Sequence, residues 1–313
     1  MKLTMMIGIP GSGKSYKANE IQKETGAVLF CPDDIRSETG LRDGNREDNA
    51  KLYSEMHREI INTLMEGKDV IYDATNLNSR KRVAFLETLN KLNVEKKCVL
   101  VLRLYEDCIK ANKTRDRVVP EEAIKNKLRS FEPPHYGEGW DKITLLYTDK
   151  NPNILGNPER LIPENMYTPH DSKYHLETIG EHIQMVLNNV DKSDQVMYYA
   201  ALLHDEGKPF TKEFKNMKGE PTEEAHYYSH EHVSAYNTFF YNIPQEIKLD
   251  VAWLCNNHMK VHEWRNNPGS KSENRVKRGV DENLFNKLLE LGDADNKSRV
   301  VEIDPPVSDS GLF

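Results

Sequence analysis

The 313-residue chain carries 43 lysines and arginines against 50 aspartates and glutamates, a formal net charge of −7 that argues against a generic polyanion binder. With 30% charged residues, a mean hydropathy of −0.73 and no run of about 18 apolar residues, it does not read as a helical membrane protein. Its four cysteines show no CxxC spacing and none of the density of a disulfide scaffold.

Length alone predicts about two domains. The chain enters its first strand without the apolar stretch of a signal peptide, so a cytoplasmic protein with reduced thiols and no membrane partner is the expectation. Residues 3–7 are apolar and predict that strand, which runs directly into Gly8-Ile9-Pro10-Gly11-Ser12-Gly13-Lys14-Ser15. An amphipathic stretch, 16–23, follows. Strand, glycine-rich loop and helix in this order make a phosphate-binding loop. Gly11, Ser12 and Gly13 turn backbone N–H groups toward the phosphates of ATP or another nucleoside triphosphate, Lys14 adds a point charge, and Ser15 offers a hydroxyl to Mg²⁺.

Further apolar segments at 27–31, 70–72, 98–102 and 143–147 alternate with polar, helix-length stretches such as 48–66 and 80–92. Such alternation predicts an α/β domain over residues 1–147, a parallel sheet with flanking helices. Ligands then sit at the carboxyl ends of strands, where Lys14, Asp33 and Asp73 fall. In Asp33-Asp34-Ile35-Arg36 the first carboxylate is placed to take the proton of an incoming hydroxyl, and Arg36 to hold a phosphate of the acceptor. Asp73 is placed to assist Mg²⁺ or its waters, and Arg115 with Arg117 to clamp a transferring phosphate. Basic runs at 110–129 and 265–278 offer local nucleic-acid patches or simply solvated helix faces.

Turn formers without apolar period fill 148–169, which reads as a linker or a strap. Residues 170–303 then read as helical: Ile179, His182, Ile183, Val186 and Leu187 share one helical face, and 197–203, 250–257 and 284–291 continue in kind. Residues 264–280 read as a polar loop and 304–313 as a frayed tail. Over these helices are spread His182, the pair His204-Asp205, His230, His258, and Asp293 and Asp295. Imidazoles with carboxylates suit two borderline divalent ions, which acidify water and clamp a phosphate during hydrolysis.

Gly8 through Ser15, then Asp33-Asp34-Ile35-Arg36, then Thr75-Asn76-Leu77-Asn78 with Arg80 and Arg82, then 112–120, resemble the kinase domain of phage-type polynucleotide kinases over about residues 1–130. The resemblance implies that Lys14 and Ser15 bind ATP and metal, that Asp33 is the general base, that Arg36 contacts the acceptor's 3′ phosphate, and that Arg115 is the lid arginine. Two departures stand out. Asp73 precedes Thr75 by two positions where the family's acid is adjacent to the threonine, and the lid is one residue shorter before Pro120.

Tyr174-His175-Leu176-Glu177, Gly180-Glu181-His182, Leu203-His204-Asp205-Glu206-Gly207-Lys208, Ser229-His230-Glu231 and Asn257-His258 resemble the HD-domain phosphohydrolases, especially the branch appended to tRNA nucleotidyltransferases. That resemblance implies an all-α HD domain. One metal would be held by His182, His204, Asp205 and a late aspartate, the other by Asp205, His230 and His258, with Lys208 meeting substrate phosphate. The family's late aspartate follows alanine, which favours Asp295 over Asp293. Mn²⁺, Co²⁺, Ni²⁺ and Zn²⁺ are the expected ions. His175 and His226 lie near but outside this set, and Glu206 stands where the family has an aliphatic residue.

Adding a phosphate with one half and removing one with the other makes sense on a broken nucleic-acid strand. The expectation is therefore a bifunctional end-healing enzyme acting on RNA, with DNA as a second substrate and a polynucleotide ligase as a partner. The alternatives are a small-molecule kinase joined to an HD nucleotidase, a kinase with a regulatory HD module, and a noncatalytic scaffold for a ligase.

Overall fold

The computed structural model describes residues 1–41, 45–115, 117–173 and 175–300. Tyr174 of the quoted motif and the expected tail at 304–313 lie outside the described residues. The N-terminal unit is an α/β sandwich around a five-stranded sheet in the order β2-β3-β1-β4-β5. Its strands are β1 (Lys2–Ile7), β2 (Val28–Phe30), β3 (Val70–Asp73), β4 (Glu95–Leu102) and β5 (Lys142–Tyr147). All neighbouring pairs are parallel. Each strand falls on a segment expected from the sequence.

Six helices flank this sheet: α1 (Lys14–Thr25), α2 (Pro32–Thr39), α3 (Arg46–Met65), α4 (Ser79–Thr88), α5 (Tyr105–Asn112) and α6 (Glu121–Leu128). α3 buries Leu52, Met56, Ile60 and Leu64, a four-residue repeat that lays one stripe on the sheet. Because β1 lies between β3 and β4, the chain diverges to either side of β1, and the crevice at its carboxyl end receives the loop that follows it.

The C-terminal unit is helical, as expected. It comprises α7 (Leu161–Asn165), α8 (Ile179–Asn188), α9 (Gln195–Leu203), α10 (Lys208–Thr211), α11 (His230–Asn237), α12 (Lys248–Asn266), α13 (Lys271–Arg278) and α14 (Glu282–Lys297). A Thr178–Glu181 capping box starts α8 and so sets where His182 falls. The stretch 148–169 contains α7, which packs so closely on α8 that a Cβ at Gly180 would lie 2.5 Å from the Ile162 carbonyl. Two features differ from the sequence reading. A two-stranded antiparallel hairpin, β6 (Glu213–Lys215) with β7 (Pro221–His226), projects from the helices. Residues 264–280 are mostly helix rather than loop, because Ser270 and Glu273 cap α13 reciprocally, Ser270 Oγ accepting from the Glu273 amide and Glu273 Oε2 from that of Gly269.

One hydrophobic core runs through both units. Phe131, fully buried, packs edge-on against Tyr236 and Phe239 from the helical side, and its carbonyl accepts from His232 and Asn256. Tyr236 donates to the Arg103 carbonyl at 2.7 Å, and buried Lys248 donates to Phe239 O at 2.8 Å and stands over the Tyr147 ring. Arg129 donates to the Tyr228 carbonyl and pairs with Glu213, each at 2.9 Å. Buried polar groups paired across a shared apolar core oppose free swinging of the two units.

Candidate active sites

At the first site the loop 8–15 wraps ahead of α1. Gly11 and Gly13 take φ values of +86° and +92°, which favour glycine, and a Cβ at Gly11 would strike the Cys108 carbonyl at 2.4 Å. Arg103 and Thr148 brace the loop by donating to the Gly11 and Ser12 carbonyls at 3.3 and 3.0 Å. Burial lowers the pKa of Lys14, with Asp73 opposing that shift and Arg115 adding to it. Asp73 ends β3, buried; burial raises its pKa, while Lys14 and a hydrogen bond from Ser15 act the other way. Among the described residues its Oδ1 has no hydrogen-bond partner. A buried carboxylate oxygen left unpaired beside a loop hydroxyl fits a hard divalent ion, so the donor set suits Mg²⁺.

Asp33 and Arg36 sit together on α2, with Arg36 Nη1 2.9 Å from Asp33 Oδ1 and Nη2 2.9 Å from Asn49. From the loop between α5 and α6, Arg117 reaches the same Asp33 oxygen at 3.1 Å, while the charge of Arg115 is felt at Lys14. Asn112 closes that loop by bonding both backbone groups of Val119. Beside Arg36 opens a cleft of about 1010 Å³ whose lining includes Tyr53, His57, Tyr72 and Phe85, the cations Arg46, Lys81 and Lys127, and, among the described residues, no acidic one. Burial pushes the His57 imidazole down to about 4, so it stays neutral. The 75–78 motif is structural as well: Asn76 donates to the Met6 carbonyl and Asn78 caps α4. Arg82 lines the same cleft. It is buried against Glu138 at 2.5 Å.

The second site brings all the expected ligand-type residues together. His182 Nε2 lies 3.3 Å from Asp205 Oδ2, 3.2 Å from Asp295 Oδ1 and 3.4 Å from His204 Nε2. On the other side of Asp205, Oδ1 is 3.1 Å from His230 Nε2 and 3.8 Å from His258 Nε2, and those two nitrogens are 3.3 Å apart. Among the described residues these form two groups that could hold a metal, His182/His204/Asp295 and Asp205/His230/His258, and His170, His175 and Glu177 form a third. Asp293 is on the outer side, paired with Arg265.

Each imidazole is aimed from behind. The Nδ1 atoms of His204, His230 and His258 bond the carbonyls of Ala201, Tyr227 and Cys255, and that of His182 meets Ser298 O and Glu177. Opposed Nε2 lone pairs repel unless a cation or proton lies between them, so this arrangement fits divalent ions. Without metal, burial disfavours charge on His182, but Asp295 and Glu177 outweigh it and hold the imidazole at about 9. Burial likewise opposes the charge on Asp205, while His204, Lys208 and His230 keep the carboxyl well below its usual range. Lys208 Nζ lies 2.6 Å from Asp205 and 3.2 Å from His170 at the pocket edge.

The supporting residues were not all foreseen. His262 and Arg299 hold Asp295 Oδ2 at 2.7 and 3.2 Å, Glu177 bridges His175 and His182, and His170 stacks on His175. The four-residue spacing of His258 and His262 on one helix was a usable signal for the first of these. Nothing in the sequence ties Arg299 or His170 to the cluster.

Residues 3–134 match a family model described as an AAA domain, and residues 173–298 match that of an HD domain. The chain therefore joins a kinase-like P-loop domain to a helical HD domain. Among solved structures, it resembles a gluconokinase from Sinorhizobium meliloti at 13% identity and a TM-score of 0.36, covering 48% of this chain and 83% of that one. A deoxyadenosine kinase from M. mycoides with bound dATP matches at 18% identity and a TM-score of 0.27, over 41% and 80% of the two chains. A chain of the Pnkp1/Rnl/Hen1 RNA repair complex matches at 23% identity and 0.35, over 40% of this chain and 42% of that one. Likenesses at this level carry no argument about substrate. No curated protein matches. Among the described residues no helix is long and apolar enough to cross a membrane.

Proposed function

We propose that the chain heals broken nucleic-acid ends, phosphorylating a 5′-hydroxyl with ATP in residues 1–147 and removing a 2′,3′-cyclic or terminal 2′/3′ phosphate in residues 170–303. The observation that carries the acceptor reading is the cleft beside Asp33 and Arg36, with an aromatic floor, a cationic rim and, among the described residues, no acid in its lining. Aromatic faces accept bases, and the rim accepts a phosphodiester backbone. In this reading Gly11, Ser12, Gly13 and Lys14 hold the triphosphate, with Ser15 and Asp73 taking Mg²⁺. Asp33 accepts the proton of the attacking hydroxyl, Arg36 turns from Asp33 to the acceptor's phosphate, and Arg115 faces the transferred group.

In the HD domain, His182, His204, Asp205 and Asp295 would hold one divalent ion, and Asp205, His230 and His258 a second. Bound ions of this kind lower the pKa of water and neutralise phosphate oxygens. The chain's own contribution is to orient the imidazoles through their Nδ1 bonds and to present the Lys208 ammonium to the phosphate. RNA is the favoured strand, with DNA second, and a polynucleotide ligase is the partner that consumes the healed ends. The acceptor assignment is tested by offering ATP with a 5′-OH oligonucleotide, a nucleoside and a sugar in parallel. Transfer confined to the oligonucleotide is expected, and transfer confined to either small molecule would replace this reading with a metabolite kinase.

A further inference from the structure

The pocket at the HD ligand cluster, about 260 Å³, has an aromatic wall formed by His226, Tyr227 and Tyr228 that neither the ligands nor Lys208 explain. His226 ends β7 and Tyr228 follows two positions on, in the turn that leads into α11. Their rings lie 5.1 Å apart and only 8° from parallel, and both are half-buried. Tyr227, between them, is already engaged: its hydroxyl donates to the His170 carbonyl and its ring faces the Lys208 ammonium at 5.7 Å.

The parallel pair is clamped at its base by the other domain. Arg129 bonds the Tyr228 carbonyl and pairs with Glu213, and Glu213 stands opposite His226 in the hairpin ladder. One guanidinium therefore fixes both sides of the hairpin root. A small-ligand pocket spans about 300–1,000 Å³, so a site of this size takes a phosphate with its sugar and leaves the base at the rim, where the rings are.

We propose that His226 and Tyr228 form a stacking platform for the nucleobase of the terminal nucleotide whose phosphate enters the HD pocket. The inference rests on the end-healing reading, and it goes further by naming what is recognised besides phosphate. Every base offers a π-face, so the platform is tolerant of sequence but selects against ring-free phosphate esters.

The test uses the full chain and two 3′-phosphorylated oligoribonucleotides, identical except that one ends in an abasic nucleotide. Phosphate release is followed as kcat/KM. Base stacking predicts that the native enzyme favours the base-bearing end by about ten- to a hundredfold. That preference collapses toward one in a His226→Ala/Tyr228→Ala variant and survives in Tyr228→Phe, which keeps the ring. A native enzyme indifferent to the abasic end overturns the platform, and so does loss of the preference in Tyr228→Phe. Release from neither end contradicts the end-healing reading itself, so the two failures are distinguishable. A nucleoside 3′-phosphate compared with its abasic sugar phosphate identifies the source of the base: base preference there as well as on the oligonucleotide supports a platform for single nucleotides, and preference confined to the oligonucleotide supports a platform for strand ends.

Discussion

His182 Nε2 stands 3.2 Å from Asp295 Oδ1, although α8 and α14 open and close the HD helices. The second oxygen of Asp295 is held by His262 and Arg299, so the first cannot rotate away from His182 without breaking those bonds. The expected consequence is that removing the ligand pair His204 or Asp205 ends hydrolysis while sparing the kinase. His204→Ala or Asp205→Ala should lose 3′-end phosphate removal, with 5′ transfer retained, as read by paired end-group assays on one preparation.

The same geometry sets a metal preference. After chelation, Mn²⁺, Co²⁺ or Ni²⁺ should restore the hydrolase better than Mg²⁺, since imidazoles suit borderline ions and Mg²⁺ favours oxygen. Full activity on Mg²⁺ alone would remove the case for imidazole ligation.

Proton release follows from His182. Its folded pKa is raised to about 9, so without metal the imidazole is charged at neutral pH. The charge contributes stability that is fully present below the unfolded value of about 6.5 and is lost as pH rises through about 9. Metal needs the neutral imidazole, so binding at pH 7.5 should release a proton and tighten as pH rises. Calorimetric titration in buffers of different ionisation enthalpy measures this directly, and a buffer-independent heat would contradict it.

Much of this was legible beforehand, for identifiable reasons. The five strands and the phosphate loop announce themselves because buried parallel strands are short apolar runs and the loop's glycines have fixed spacing. The candidate ligand residues of the HD half were legible as residue types in order, but Asp295 was separated from Asp293 by packing, which turns only one of them inward. The β6–β7 hairpin was hidden because Glu213, Lys215, Glu223 and Glu224 leave no apolar alternation to read. Phe131 looked like any aromatic before a proline pair. Its role at the domain seam depends on Tyr236 and Phe239, residues far along the chain.

That seam should be energetically real. Phe131→Ala removes a fully buried ring shared by both domains and should cost about 3–5 kcal/mol. Thermal unfolding, expected as one transition in the native chain, should then separate into two. A single transition at unchanged temperature would mean that the domains stand independently.

On the kinase side, Asp33→Ala should abolish transfer, with a loss of roughly 10²-fold or more, while ATP binding persists because Asp33 pairs with Arg36 and Arg117 rather than with the phosphate loop. Lys14→Ala should weaken binding and transfer together. Fluorescent nucleotide titration beside the transfer assay separates the two effects, and parental transfer by Asp33→Ala would remove its assignment as base.

In the end-healing reading, both ends of one strand are remodelled by one chain. An oligoribonucleotide bearing a 5′-hydroxyl and a 2′,3′-cyclic phosphate, incubated with ATP, Mg²⁺ and Mn²⁺, reports both termini by mass. The expected product has gained a phosphate at its 5′ end and lost the one at its 3′ end, with Asp33→Ala blocking only the gain and Asp205→Ala only the loss. An oligonucleotide recovered with both ends unchanged, while the same preparation phosphorylated a small metabolite, would contradict it.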